Sequence, residues 1–321
     1  MAANASYSEA IVMTLNNLRP RLYDNVSNNN ALLRRLKSKG KMEKVDGGRE
    51  IQLDLEYAEN GTIKDYSGYE MLNISPSEVF TAATFAWKQK AGAVSMSGLE
   101  QLINSGQSAR YNQWAKRIDN LNKSMSNAIA EDIYSDGTGS AGKQIGGLQL
   151  LVPDVNTNTV GGINAATWDF WRNRVYSFAA NALTAGPATI QAAMNQMYLN
   201  LCRGTDRPDL IVCDNTYYDH YWQSLQQIQR ITSANGVGEA GYARLKFMGA
   251  DVEFDGGLWG FAPSGMYFLN TEYIYFMTHK DRDFVPLPKS HAVNQDAESQ
   301  IIAWAGNMAT SNRILQGRII D

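Results

Sequence analysis

From Ile51 the chain alternates, with Ile51, Leu53, Leu55 and Tyr57 on one side and Gln52, Asp54 and Glu56 on the other. A period of two places the apolar set on one face of a β-strand. Asn60-Gly61 is a turn signal, yet no tight hairpin follows. The chain stays polar through Lys64, Asp65 and Ser67, and a second strand-like run from Phe80 to Val94 carries Phe85 and Trp87 on one face. This pattern predicts a long two-stranded arm with a polar tip. The period then changes. Between Gln107 and Tyr134, apolar residues including Trp114, Ile118, Leu121, Met125, Ile129 and Ile133 recur at intervals of three and four. They predict one helix of roughly 40 Å at 1.5 Å per residue, stopped at Asp136-Gly137.

Ahead of the arm, Ile11, Val12, Leu15 and Leu18 predict a helix over 7–22, followed by a basic amphipathic piece, ALLRRLKSKGK. Its Arg34, Arg35, Lys37, Lys39 and Lys41 fit a solvated helix face or a contact with an acidic partner surface or nucleic acid. Beyond the long helix, residues 137–164 are rich in Gly, Asn and Thr and read as loop or short strands, with Ile145 to Val152 the best strand segment. Ala165 to Ala180 and Pro187 to Arg203 read as helices, the second opened by proline. Leu210 to Cys213 reads as a buried strand leading into a helix that holds Tyr217, Tyr218, Tyr221 and Trp222. After a glycine-rich interval, 234–241, strands are expected at Ala243 to Phe254, Met266 to Leu269 and Tyr273 to Met277. A last strand pair is expected within SQIIAWAGNMATSNRILQGRII. Helices and strands interleave without a regular βαβ rhythm, which makes the class α+β.

Composition narrows the function. A chain of 321 residues with 44% hydrophobic content can bury a sizeable core as one large domain or two modest ones. A net charge of −3 argues against a protein whose main task is gripping nucleic acid. Cys202 and Cys213 are too few for a disulfide framework and lack zinc-site spacing, so a reducing cytosol fits. The N-terminus lacks the pattern of a signal peptide, and no apolar run approaches the length needed to span a bilayer.

Candidate chemistry is sparse. GTGSAGKQ, Gly137 to Gln144, satisfies a phosphate-loop spacing but follows a helix instead of a buried strand, and Gln144 stands where a Ser or Thr should hold magnesium. His220, His279 and His291 are isolated from one another, and Asp219-His220 are adjacent, so on a helix they point apart. Cys213 ends an apolar strand and reads as a buried structural cysteine. Lys280, Asp281 and Asp283 in THKDRDF lack the rest of a calcium loop and read as a solvated turn. The aromatics of YYDHYWQSL fit core packing or stacking on bases or sugars. No catalytic, cofactor-binding or metal-ligating residue is assigned.

The ordered set of segments resembles the HK97-like major capsid proteins of tailed bacteriophages. It comprises an N-terminal arm, a hairpin closing in FAWKQKAGAVSMSGLEQLIN, a long helix ending in IYSDGTG, then PDLIVCDNTYYDHYWQSLQ, KFMGADVEFDGG, GMYFLNTEYIYF and NRILQGRII. The resemblance implies an N-terminal arm over 1–41, an extended loop (E-loop) over 42–104 and a peripheral domain with a spine helix over 105–164. An axial domain over 165–285 and a return to the peripheral domain over 286–321 complete it. It implies assembly of pentamers and hexamers into an icosahedral head shell, located in the virion and built in the bacterial host cytoplasm. The implied partners are a portal, a separate scaffolding protein, decoration proteins and packaged double-stranded DNA touched without specificity; no cofactor, enzyme activity or membrane is implied. Only about 40 residues precede the hairpin, too few for a long N-terminal scaffolding segment, hence the separate scaffold or an already processed chain. An isolated hairpin is marginal in water. Ile51, Leu53, Leu55, Phe85 and Trp87 are therefore expected to need cover from a neighbouring subunit, with Tyr57 and Lys64 as further contacts. Lys64 matches the family's crosslinking lysine by place only. An encapsulin-like compartment shell is the alternative with the same fold, and an enzyme using His220, Cys213 or Asp214 is the alternative of a different class.

Overall fold

A computed structural model describes residues 30–103, 113–232, 245–255, 262–291 and 294–321, with side chains of 226–232 left aside. The expected helix over 7–22, the opening turns of the long helix up to residue 112, and the glycine-rich interval 234–241 lie outside the described residues.

The first sheet is organised by one long strand. Helix α1 (Ala31–Ser38) starts at Asn30, whose side chain accepts the Leu33 amide at 3.0 Å, the usual way a helix satisfies a free N-terminal donor. It leads into β1 (Met42–Val45), then the arm strands β2 (Ile51–Glu56) and β3 (Phe80–Phe85), then β4 (Lys88–Ser97). The second run thus breaks at Ala86-Trp87 into two strands in different sheets. Helix α2 (Gly98–Ile103) precedes the spine helix α3 (Gln113–Asp132), whose 20 described residues span about 30 Å at 1.5 Å per residue. The small hairpin β5 (Thr159–Val160) and β6 (Ile163–Asn164) follows. Far downstream, β12 (Ile274–His279), β13 (Val285–Pro286), β14 (Ser290–His291) and β15 (Ala297–Thr310) complete the sheet. One edge of β15 pairs with β4 over ten residues, Ala297 with Ser97 through Gly306 with Lys88. Its other edge takes β14, β13 and β12 in succession, and β1 joins β12 in parallel. The spine crosses β4 at Gly92, where an added Cβ would collide with Leu121, so glycine there lets helix and strand approach closely. Met125, Ile129, Ile133, Trp304 and Met308 fill this first core.

The second sheet runs β7 (Arg174–Ser177), β16 (Gly317–Ile320), β11 (Met266–Leu269), β8 (Leu210–Cys213), β10 (Ala250–Phe254), β9 (Leu245–Phe247). All four residues of β8 are buried, as an unbroken apolar run at the centre of a covered sheet requires. Helices α4 (Ile190–Asn200) and α5 (Asn215–Thr232) contribute Met194, Met197, Tyr217 and Tyr221 to this second core.

Several expectations are corrected. Ala165 to Ala180 is not a helix: a 3₁₀ turn at Asp169–Trp171 leads into β7, drawn into strand form by its parallel ladder with β16. Ile145 to Val152 is not a strand; the Leu148 amide bonds Ile133 O at 2.6 Å, and one helical turn, Leu148–Leu151, buries Leu148 and Leu151 of its three leucines at the end of the spine. The strand expected from Ala243 reverses between β9 and β10 at Met248-Gly249, both with positive φ, as a two-residue hairpin turn demands. The two C-terminal strands do not pair with each other: β15 belongs to the first sheet and β16 to the second.

Candidate assembly surface

The arm has a buried base and an exposed tip. In the base, β2 and β3 pair antiparallel, with Ile51 opposite Phe85 and Leu55 opposite Thr81. Ile51, Leu55 and Phe85 are buried within the chain itself, while Leu53, Tyr57 and Trp87 are partly buried. The segment 159–171 covers β3 and Tyr57. Thr84 N–H donates to Gly161 O at 3.0 Å, and Gly161, with φ +61°, lies so close that a Cβ would sit 3.1 Å from Ala83 Cβ and 3.2 Å from the Phe85 ring. Trp171 Nε1 donates to Val160 O at 2.9 Å and steadies that cover. Tyr57 stacks on Phe170 at 5.4 Å and meets the edge of Trp168 at 5.5 Å. Trp87 Nε1 donates to Gly48 O at 3.0 Å, with its ring against His279. The expectation of cover from a neighbouring subunit is corrected for Ile51, Leu55 and Phe85, which are buried in their own chain, with Gly161 closing over Phe85; Leu53 and Trp87 are only partly buried, Trp87 against Gly48 and His279.

The unsatisfied apolar surface lies beyond the base. The Tyr57 amide bonds Val79 O at 2.9 Å, and the 58–78 excursion starts and ends at that pair. Within it Ile63 is 83% exposed, Met71 90% and Ile74 92%, and Tyr69 is fully exposed. Tyr66, Leu72 and Phe80 add to this surface. Asn60 Oδ1 organises the turn, accepting from the Thr62 amide at 3.0 Å and from the Thr62 and Ser77 hydroxyls. Lys64 is exposed and lies 3.5 Å from Glu70. The tip is thus apolar as well as polar, a feature hidden in the sequence because its apolar residues follow neither a strand nor a helix period. Such a concentration of exposed large apolar side chains in one excursion makes it the candidate interaction site.

Elsewhere the candidate chemistry resolves into structure. The basic cluster is solvated only in part: Lys37 and most of Arg34 are exposed, while Arg34, Arg35, Lys39 and Lys41 pair with Glu253, Asp209, Asp251 and Glu272. In GTGSAGKQ, the Thr138 amide turns to Asp136 Oδ1 and the Gly139 amide to Gln144 Oε1, so these amides are occupied within the loop. Asp283 pairs with Lys44 at 2.7 Å and Lys280 with Asp46 at 3.3 Å. Cys213 is buried, and burial pushes its thiol far above the ordinary range, away from nucleophile chemistry. Asp214 accepts the Tyr217 amide at 3.1 Å as the cap of α5. His220 stands beside Tyr217 at a ring separation of 6.2 Å. Among the described residues no group of three or more His, Cys, Asp or Glu could hold a metal, and no helix is long and apolar enough to cross a membrane.

No family model and no curated protein matches the chain. Solved structures do match it, along nearly its whole length. A capsid protein of cyanophage A-1(L) superposes with a TM-score of 0.70 at 14% identity, covering 95% of this chain and 96% of that one. The capsid of an empty GTA particle gives 0.61 at 12% identity, covering 99% of each chain. The encapsulin of the holo-SrpI complex from Synechococcus elongatus PCC 7942 gives 0.56 at 7% identity, covering 93% and 91%. The chain has the fold of these shell structures, the α+β HK97-like fold that the segment order resembles.

Proposed function

We propose that this chain is the major capsid protein of a tailed bacteriophage, self-assembling as pentamers and hexamers into an icosahedral head shell around double-stranded DNA. The observation that carries this reading is the apolar tip of the arm, held out from a base locked to its own chain, on a fold matched end to end by phage capsid structures. A projecting element on each copy and a receiving surface on the next form a heterologous contact, which closes into rings and then shells when the rotation permits. Ile63, Tyr69, Met71 and Ile74, with Lys64 beside them, are the contacts of first rank. Leu53 and Tyr57 on the base, and Trp87 at the end of the base away from the tip, are further contacts, while Ile51, Leu55 and Phe85 fix the direction in which the arm points.

In this reading the first sheet with the spine is the peripheral part, and the second sheet with α4 and α5 is the axial part that meets its copies around the symmetry axes. The shell would be located in the virion after assembly in the bacterial host cytoplasm. Its partners would be a portal, a separate scaffolding protein, decoration proteins and packaged DNA held without sequence specificity. The chain acts as a structural protein and not as an enzyme. The match to an encapsulin supports a second reading, a compartment shell with protein cargo.

The test is light scattering coupled to size-exclusion chromatography on the purified chain, with negative-stain imaging of early-eluting material. Rings or closed shells are expected. A uniform monomer or dimer that stays small with its neighbouring gene products would overturn the shell reading. Nuclease-protected DNA inside native particles separates capsid from compartment.

A further inference from the structure

Helix α1 is attached to both cores, by different chemistry on each side. Leu32 and Leu36 are buried in the first core, and Asn30 Nδ2 donates to Ala130 O of the spine at 3.2 Å. The basic side meets carboxylates carried by the second sheet and the loops at its edge. Arg34 reaches Glu253 at 2.5 Å, and Arg35 reaches Asp209 at 3.0 Å and Asp251 at 3.2 Å. Lys39 bridges Asp209 at 3.1 Å and Glu272 at 2.7 Å, and Lys41 closes on Glu272 at 3.3 Å. Near the helix start the carboxylate of Asp255 accepts Tyr134 Oη at 2.5 Å from the end of the spine. Lys246, 3.7 Å from Asp251, Cys213 of β8 and Tyr267 of β11 also face the seam, Tyr275 lies under Lys41 at 5.1 Å, and Asp206 and Arg207 line the cleft that Lys39 shares with Asp209 and Glu272.

The first attachment is apolar and neutral, indifferent to pH. The second depends on ionised acids. A helix of eight residues held by one face alone is marginal in water.

We propose that α1 is an acid-released clasp: ionised Asp209 and Glu272 hold the basic side of α1 to the second sheet, and their protonation frees that side of the helix while Leu210, Val212, Tyr267 and Leu269 keep the sheet itself in the first core. Burial raises the pKa of Asp209, but the amide and hydroxyl of Thr271 and the charge of Lys39 outweigh it, so the carboxyl sits below its ordinary value. A hydrogen bond from Lys39 holds Glu272 below its own range, with help from Lys41. Each contribution is complete above the unfolded value and is lost as pH falls through the lowered folded value. Asp255 runs the other way. Burial raises it, so it protonates earlier, and folding gains from that step; Asp255 does not open the seam.

Hydrogen–deuterium exchange of the full chain, corrected for intrinsic rates, tests this. Between pH 7 and pH 2.5, which carries both acids down through their lowered values, protection of residues 31–41 should fall at least tenfold more than protection of β11. A chain carrying Asp209→Asn and Glu272→Gln should show that selective loss already at pH 7. Lys39→Met, which removes the base shared by both acids, should move the loss to higher pH. Parallel loss in 31–41 and β11, or a Lys39→Met profile identical to the parent, would overturn the clasp.

Discussion

Met248 holds a left-handed backbone, φ 47°, at the first position of the β9–β10 turn, and its side chain is half exposed. A Cβ in that region costs roughly 1–2 kcal/mol, and only part is returned by the lower freedom of a non-glycine residue in the unfolded chain. Met248→Gly should therefore raise stability by up to about 1 kcal/mol, read from the urea midpoint, because Tyr198 Oη bonds the backbone carbonyl and not the side chain. Phe85 is the opposite case. Its ring fills the junction between the arm base and Gly161, so Phe85→Ala should cost about 3–5 kcal/mol in the same measurement. The two cysteines separate by reactivity: a thiol reagent at pH 8 should label exposed Cys202 and spare Cys213 until the chain unfolds.

The arm separates into parts with different tasks. Because the Tyr57 amide and Val79 carbonyl are hydrogen-bonded, 58–78 can be replaced by Asn-Gly without disturbing the ladder below. The shortened chain should keep its circular dichroism spectrum and melting temperature yet fail to form stable shells; normal shells would remove the tip from the assembly surface. What was legible in the sequence follows the same division. The alternation at Ile51–Tyr57, the unbroken run Leu210–Cys213 and the three-to-four spacing of the spine announced their elements, because each period reflects a local choice of buried face. Ala165 to Ala180 misled because β7 is a strand only through β16, more than 130 residues away. The cover over Phe85 was equally invisible, since it depends on a short hairpin in a Gly-rich stretch with no period of its own. The basic run could be seen, but its carboxylate partners, scattered from Asp209 to Glu272, could not.

At the scale of the whole molecule, β8 and β11 give one face to each of the two cores, and charge adds the attachment of α1 to the second sheet. Glu100, hydrogen-bonded by Arg117, and Asp206, hydrogen-bonded by Arg203, join Asp209 and Glu272 in having lowered pKa values. Their contributions are present above the unfolded carboxylate range and vanish as pH drops through the lowered values, with Asp255 opposing them in part. The melting temperature of the isolated subunit should accordingly fall between pH 5 and pH 3; a flat or rising profile would contradict this balance. The long strand β15 has a further consequence, in time. It is the strand on which β4 and β12 both depend, and it pairs with residues made some 200 positions earlier. At roughly 5–20 residues per second, a ribosome leaves β4 without its partner for about 10–40 s. During synthesis the nascent chain thus carries its projecting arm on a scaffold that has not closed, and in the proposed shell a copy is ready to receive its neighbour only after β15 and β16 leave the exit tunnel.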